Sequence, residues 1–409
     1  MRWEKTKLDE IKNDEKYSLI GGPFGSKLTS KDYVSVEGVP VIRGINLPFE
    51  KKFSHDDLVF VSEEKAVELR SNLAYPNDII FTQRGTLGQV GLIPIGYYEK
   101  YVVSQSQMKL TVNPEKAIPE FVYYFFSSEE GRRSIEAKSI TSGVPHINLG
   151  ILKSTEIPLP PLPTQHRIAS ILSAYDDLIE NNLKRIKLLE EAAQNIYREW
   201  FVHFRYPGHE RVRRGADGLP EGWRRGKLSD IAYLKKKTVK PTEFESFTRY
   251  VGLEHIPRQS ITLKDWGTTD DINSDKLFFE KLDILFGKIR PYFHKVVVAP
   301  FNGVTSTDTY VVQSKTQEAY SFLMMVLSST HFVEYSYVTC KEGSKMPRAD
   351  WGMMEKYPIT VAPQKLLKEF NDIVAALLRH TFQLVEMNVF LKEARDILLP
   401  RLMNRTIEV

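Results

Sequence analysis

Gln83, Arg84 and Thr86 lie just past the strand-like run 78–81, and Lys288, Arg290, Tyr292 and His294 lie just past its echo at 283–286. Two further loop pairs match in the same way. Ser104, Gln105 and Gln107 face 305–309 with Thr307, and Ser142, Gly143 and His146 face Lys341, Ser344, Lys345 and Arg348. Arg and Lys can donate two bonds to guanine, Gln can pair with adenine, and hydroxyls and backbone amides hold phosphates. Taken singly, each side chain fits a solvated surface equally well. The same loop positions recurring with different side chains is what two readers of two different DNA half-sites require.

Other chemistry finds little support. The loop Gly21-Gly22-Pro23-Phe24-Gly25-Ser26-Lys27 lacks the Gly-Lys-Ser/Thr ending of a P-loop and the third glycine of a dinucleotide fingerprint. It reads as a structural turn, or as one that brings backbone and Lys27 close to a groove or phosphate. No polar-Pro-Pro-aromatic loop for amine methylation is present. Asp283 and Lys288 make only a loose pair, short of a nuclease cluster, and no nucleophile elbow or Cys–His arrangement stands out. Cys340 is the lone cysteine and the nine histidines are scattered, so no zinc spacing occurs. The expectation is a non-catalytic chain with no catalytic, cofactor or metal residue of its own.

The totals suit a soluble protein of more than one domain: 409 residues, 42% hydrophobic and 26% charged. A single cysteine excludes an internal disulfide and fits a reducing cytoplasm. The N-terminus is too charged for a signal peptide, and no apolar run reaches membrane-spanning length. Charge is unevenly placed. Residues 202–240 hold eleven basic side chains against four acidic ones, a local +7 in a chain whose total is +4. Such a stretch suits a polyanion or forms a solvated linker.

These loops recur because the chain repeats itself. Trp3, Lys7, Leu8 and Ile11 return as Trp223, Lys227, Leu228 and Ile231. Asn77-Asp78-Ile79-Ile80-Phe81 is echoed by Leu282-Asp283-Ile284-Leu285-Phe286, and Ile157-Pro158 with Pro163 by Tyr357-Pro358 with Pro363. The offset drifts from about 220 residues to about 200, and the matches keep their order, so a tandem duplication is expected. Strands are expected at 41–42, 78–81, 101–103, 283–286, 296–298 and 310–312, and helical segments at 120–135 and 318–338. Residues 206–222, rich in Gly and Pro, read as the connector.

Each repeat ends in a long helical stretch with a seven-residue apolar period, about 165–200 and 364–398. The first seam reads Ile168, Leu172, Tyr175, Ile179, Asn182, Ile186, Leu189, Ala193, Ile196, Trp200. The second reads Leu366, Phe370, Ile373, Leu377, His380, Leu384, Met387, Leu391, Ala394, Leu398. Alternating steps of four and three are the seam of a coiled coil, and each rod would be roughly 50 Å long. Two independent amphipathic helices remain the simpler alternative. Asn182 and His380, one polar residue in each middle heptad, would meet in an antiparallel pair and fix its register. Thr164 is placed to cap the first rod.

The run Ile157-Pro158-Leu159-Pro160-Pro161-Leu162-Pro163-Thr164-Gln165-His166-Arg167-Ile168-Ala169 resembles the central conserved region of specificity subunits of type I restriction-modification enzymes. So does Asn195-Ile196-Tyr197-Arg198-Glu199-Trp200-Phe201-Val202. Leu219-Pro220-Glu221-Gly222-Trp223 is similar to the opening of their second recognition domain, and Leu398-Leu399-Pro400-Arg401-Leu402-Met403 to their C-terminal ending. The second junction, Val361-Ala362-Pro363-Gln364-Lys365, departs from the pattern, with a thinner proline run and no Gln-His-Arg.

The resemblance implies a mixed α/β (α+β) chain of two tandem globular target recognition domains separated by two long antiparallel coiled-coil helices. The domains fall at 1–156 and 203–358. The central conserved region with the first helix falls at 157–202, and the C-terminal conserved region with the second at 359–409. It implies that each domain reads half of a bipartite, asymmetric site in double-stranded DNA, while the helices set the gap. It further implies two modification (methyltransferase) subunits that use S-adenosylmethionine on a flipped adenine, and restriction (endonuclease/translocase) subunits with ATP and magnesium. A stand-alone DNA-binding regulator without an enzyme partner is the rival reading, and a protein-binding scaffold a third.

Overall fold

Short β-branched and aromatic runs form strands here wherever Gly, Pro, Asn or Asp bracket them. The computed structural model describes residues 3–141, 143–244, 249–340 and 346–409. The chain divides into two units, Met1–Ile179 with Phe390–Val409, and Glu180–Val389.

In the first unit the strands are β1 (Glu4–Lys7), β2 (Leu19–Gly21), β3 (Tyr33–Val34), β4 (Val39–Ile42), β5 (Val59–Val61), β6 (Leu73–Ala74), β7 (Ile79–Thr82), β8 (Val90–Leu92), β9 (Tyr101–Val103), β10 (Gln107–Leu110) and β11 (Glu156–Leu159). They form an antiparallel sheet β2-β10-β7-β8, a five-stranded sheet β3-β5-β4-β9-β6 and the pair β1-β11. The helix Pro119–Ser127 is buried along nearly its whole length, and Phe126 meets Phe81 of β7 edge to face with centroids 5.0 Å apart. Pro119 opens that helix, where its missing N–H leaves nothing unsatisfied.

In the second unit the strands are β12 (Arg224–Lys227), β13 (Ala232–Lys235), β14 (Thr238–Val239), β15 (Arg249–Val251), β16 (Gly267–Thr268), β17 (Lys276–Phe279), β18 (Ile284–Gly287), β19 (Val296–Val298), β20 (Gly303–Thr305), β21 (Thr309–Ser314) and β22 (Pro358–Val361). The sheet β13-β21-β18-β19 reproduces β2-β10-β7-β8, and β12-β22 reproduces β1-β11. In the five-stranded sheets, β16-β15-β20-β17 matches β5-β4-β9-β6. Each has a single parallel pair, β15 with β20 and β4 with β9. The fifth strand differs: β3 joins beside β5, whereas β14 joins at the other edge, beside β17. Shared topology of this kind is the fingerprint of duplication.

Equivalence reaches single residues. Asn77 and Leu282, just before β7 and β18, both have left-handed backbones, with φ of 71° and 74°. The aspartates that follow, Asp78 and Asp283, are both buried. Asp78 takes the Lys109 ammonium at 3.5 Å and accepts a hydrogen bond from Thr111. Burial pushes its carboxyl above the ordinary value, opposed by Lys109 and Thr111. Asp283 takes Lys235 at 3.2 Å and the Gln313 amide at 2.6 Å. Burial opposes the Lys235 charge, yet Glu280 and Asp283 together hold its ammonium above the ordinary value.

The long helices are Leu162–Tyr197, continued by a π-turn Arg198–Val202, and Gln364–Met403. The first begins before Thr164, so Thr164 sits inside the opening turn rather than capping it. Gln165 ties this start down instead: its Oε1 accepts from Ile118 N at 2.9 Å and its Nε2 donates to Pro160 O at 2.8 Å.

Within the second unit the helices pack side by side and antiparallel. Asn182 Nδ2 donates to Asn388 Oδ1 at 2.9 Å, Ile186 packs with Leu384 and Val385, and Arg185 meets His380 Nε2 at 2.8 Å. Asn182 and His380 are therefore not each other's partners. Asn388 stands eight residues beyond His380, about 12 Å along the helix. Arg can only donate, so the bonded His380 nitrogen is the acceptor and the ring proton is on Nδ1.

The first seam is buried as its spacing predicts at Ile168, Leu172, Ile179, Asn182, Ile186, Ala193 and Trp200. The second keeps its period but sits one residue later than expected, through Leu367, Asn371, Val374, Leu378, Thr381, Val385 and Asn388. Ile373 and Met387 are left 41% and 48% exposed. Hydropathy places Ile373 and Met387 inside, whereas the folded seam takes Asn371, Thr381 and Asn388. Of the expected positions, Leu366 and Phe370 are buried on the domain core and Leu384 against Ile186 of the first helix.

In the first unit, Arg395 Nη1 lies 2.6 Å from Asp176 Oδ1, and Tyr124 Oη donates to Asp176 Oδ2 at 2.6 Å. Leu399, Leu402 and Met403 share one core with Ile168 and Leu172. No helix among the described residues is long and apolar enough to cross a membrane.

Candidate nucleic-acid interface

In each unit three loops tie together at the end of the four-stranded sheet away from the buried aspartate. In the first, Gln83 and Arg84 leave β7 and donate their backbone N–H groups to Ser106 O at 2.7 and 3.3 Å. Ile147 N donates to Gln83 O at 3.0 Å, and Arg84 bridges to His146 by its backbone. In the second, Lys288 N donates to Asp308 O at 3.0 Å, Ala349 N to Lys288 O at 2.8 Å, and Arg290 N to Pro347 O at 2.8 Å. Ile289 bridges to Arg348 there as Arg84 does to His146. These backbone ties fix the loops while leaving side chains to vary, the arrangement a reading surface needs.

Side chains in the first cluster divide into outward and inward. Arg84, Thr86 and Lys27 are exposed and His146 is half-buried, its Nδ1 3.1 Å from Val144 O. Gln107, expected among the readers, is buried in β10 and accepts from the Ser104 hydroxyl, so both residues brace the loop. Gln105 is braced too: its Nε2 donates to Gly25 O at 2.5 Å and Leu28 O at 2.7 Å.

In the second cluster Thr307, Tyr292 and Arg348 are exposed. Arg348 Nη1 stands 3.4 Å from Asp308 Oδ1, and Lys288 Nζ lies over the Tyr310 ring at 5.3 Å. Partial burial pulls the Lys288 ammonium below its ordinary value, and Arg348 adds to this while Asp308 opposes it. Arg290 and His294 bracket the turn Pro291–Phe293 in left-handed conformations. Strain at two bulky residues persists only where the surroundings enforce it, a common mark of functional loops. Tyr292 packs edge to face on Tyr337, with centroids 5.3 Å apart. Ser142, Lys341, Ser344 and Lys345 lie outside the described residues.

Asp283 and Lys288 stand at opposite ends of β18, and Asp283 is taken up by Lys235 and Gln313. Among the described residues no group of three His, Cys, Asp or Glu side chains is gathered to hold a metal ion. Sequence reasoning missed Asp308, Asn388 and Arg395. Asp308 lay within a matched loop, and the other two fall on the shifted seam.

Residues 4–191 match the family described as the type I restriction modification DNA specificity domain. The type I restriction enzyme MjaIX specificity subunit of Methanocaldococcus jannaschii is 25% identical over 396 residues, 92% of this chain and 85% of that protein. The type I restriction enzyme HindI specificity subunit of Haemophilus influenzae is 31% identical over 126 residues, 30% of this chain and 26% of that one. The crystal structure of a type I restriction-modification S subunit from M. genitalium shares the fold, with a TM-score of 0.59 and 17% identity over 98% of this chain and 96% of that one. Residues 4–191 thus carry the type I restriction modification DNA specificity domain, and over nearly its whole length the chain is similar to specificity subunits of type I restriction enzymes and shares the fold of an S subunit.

Proposed function

We propose that each target recognition domain, 1–156 and 203–358, reads one half of a bipartite, asymmetric site in double-stranded DNA through its three-loop cluster. The long helices set the spacing between half-sites and dock two methyltransferase subunits. In this reading S-adenosylmethionine, ATP and magnesium belong to modification and restriction subunits, and this chain supplies recognition without catalysis.

The observation that carries the proposal is the recurrence of one loop knot on equivalent sheets with different outward side chains, Arg84 and Thr86 in one and Tyr292, Thr307 and Arg348 in the other. Two readers on one stiff connector gain effective concentration for the second half-site, but only at a matching gap. Replacing residues 1–156 with another such domain and sequencing the methylated motif tests it. One half of the motif should change, and a change in both would contradict independent reading. Deleting one heptad from both helices should shorten the tolerated gap, and an unaltered gap would remove the ruler.

A further inference from the structure

A large apolar side chain stands in solvent beside the first loop cluster. Phe24 is 84% exposed, the most exposed of the large hydrophobic residues described. Its loop is braced. Gly22 N donates to Gln107 O at 2.9 Å, and Asn72 Nδ2 donates to Gly21 O at 2.8 Å. Gln105 uses both amide hydrogens on Gly25 O and Leu28 O. The loop lies so close that a Cβ on Gly22 would stand 1.9 Å from Ser104 O, and Gly25 turns the chain with a φ of 62°. Gln105 is therefore a positioning residue, and what the loop presents outward is Phe24 with Ser26 and Lys27.

We infer that Phe24 is a wedge that enters between two stacked base pairs of the half-site read by the first unit, with Lys27 on the adjoining phosphate. This rests on the DNA-reading function proposed above. An exposed phenyl on a braced turn already has its ordering entropy settled, so unstacking a base step is the main cost. Its neighbours, a lysine, a serine and the loop of Arg84, suit a polyanion rather than an apolar protein surface. In the second unit the chain past β13 runs through Lys236 and Lys237 into β14.

The test uses the chain in complex with its methyltransferase subunits, once the methylated motif is known. Phe24→Ala should weaken specific duplex binding by roughly 5- to 150-fold, the range of one lost base–aromatic stack. Phe24→Trp should retain most of the affinity. The Phe24→Ala deficit should shrink on a duplex with an abasic nucleotide at one step of the first unit's half-site, where stacking is already broken, and not on duplexes altered in the other half. Equal affinity of Phe24→Ala and the parent overturns the wedge. So does a deficit that is the same on every altered duplex, or a loss of methyltransferase association with DNA affinity kept. A parent complex with no sequence preference overturns the DNA-reading function itself, and is distinguished by failing before any substitution is made.

Discussion

Lys109 in the first unit and Lys235 in the second set an ammonium on equivalent aspartates, Asp78 and Asp283, from opposite members of the same cross-strand pair. Lys109 of β10 pairs with Ile20 of β2, and Lys235 of β13 pairs with Val311 of β21. The aspartate has been kept and the cation has changed strands. What the fold requires at this site is a countercharge, whichever backbone carries it.

Lys109→Val should therefore cost about 3–5 kcal/mol, since it leaves a buried carboxylate without its cation. Adding Ile20→Lys should restore a large part of that loss, measured by denaturant unfolding. The single variant should also change the pH profile. The Asp78 carboxyl already sits above its ordinary 3.8, so between that value and the raised one the folded state holds more protons and stability falls as pH rises. Without Lys109 that fall should extend to higher pH. A double variant no better than Lys109→Val would show that the aspartate tolerates only one donor direction.

The Asn182–Asn388 bond predicts an asymmetry between single and double changes. Asn388→Ala leaves a buried amide without its partner, at about 1–3 kcal/mol. Asn182→Leu with Asn388→Leu removes both and should lose less, or gain. Thermal unfolding of the full chain distinguishes the two, and equal losses would mean that the amides are already hydrated.

Arg395→Met should destabilise more than Arg185→Met. The Arg395–Asp176 pair is mostly buried, each side chain 12% exposed, and shares Asp176 with Tyr124, whereas the Arg185–His380 contact is exposed. Losing one member of a buried pair costs about 3–5 kcal/mol, and an exposed contact about 1 kcal/mol or less. Chemical denaturation of the two variants side by side checks the order.

Arg84→Ala and Arg348→Ala should each relax base preference in one half of the methylated motif, by about 1–3 kcal/mol if the guanidinium pairs with a base edge. Selection from a degenerate duplex pool reads this out. A uniform weakening with unchanged preference would assign the residue to the phosphates.

The strands, both helix periods and the recurring loops could be read beforehand because each leaves a direct imprint in residue spacing. The phase of the second helix could not. Its seam is marked by Asn371, Thr381 and Asn388, while Ile373 and Met387 carry the apolar signal on the outer face. The loop positions were legible from duplication, but the direction of each side chain was not. A carboxamide such as Gln105 or Gln107 matches a neighbouring loop as well as it matches a base edge, and only packing decides. The outward position of Phe24 leaves no mark in the sequence either, because a glycine-rich turn does not show which way its phenyl points.

The two clusters hold their loops by main-chain amides and carbonyls, which every residue type except proline supplies in full. In the function proposed above, the choice of target falls to outward side chains such as Arg84 and Arg348 on which these main-chain ties do not depend, so those positions can change while the loops stay in place.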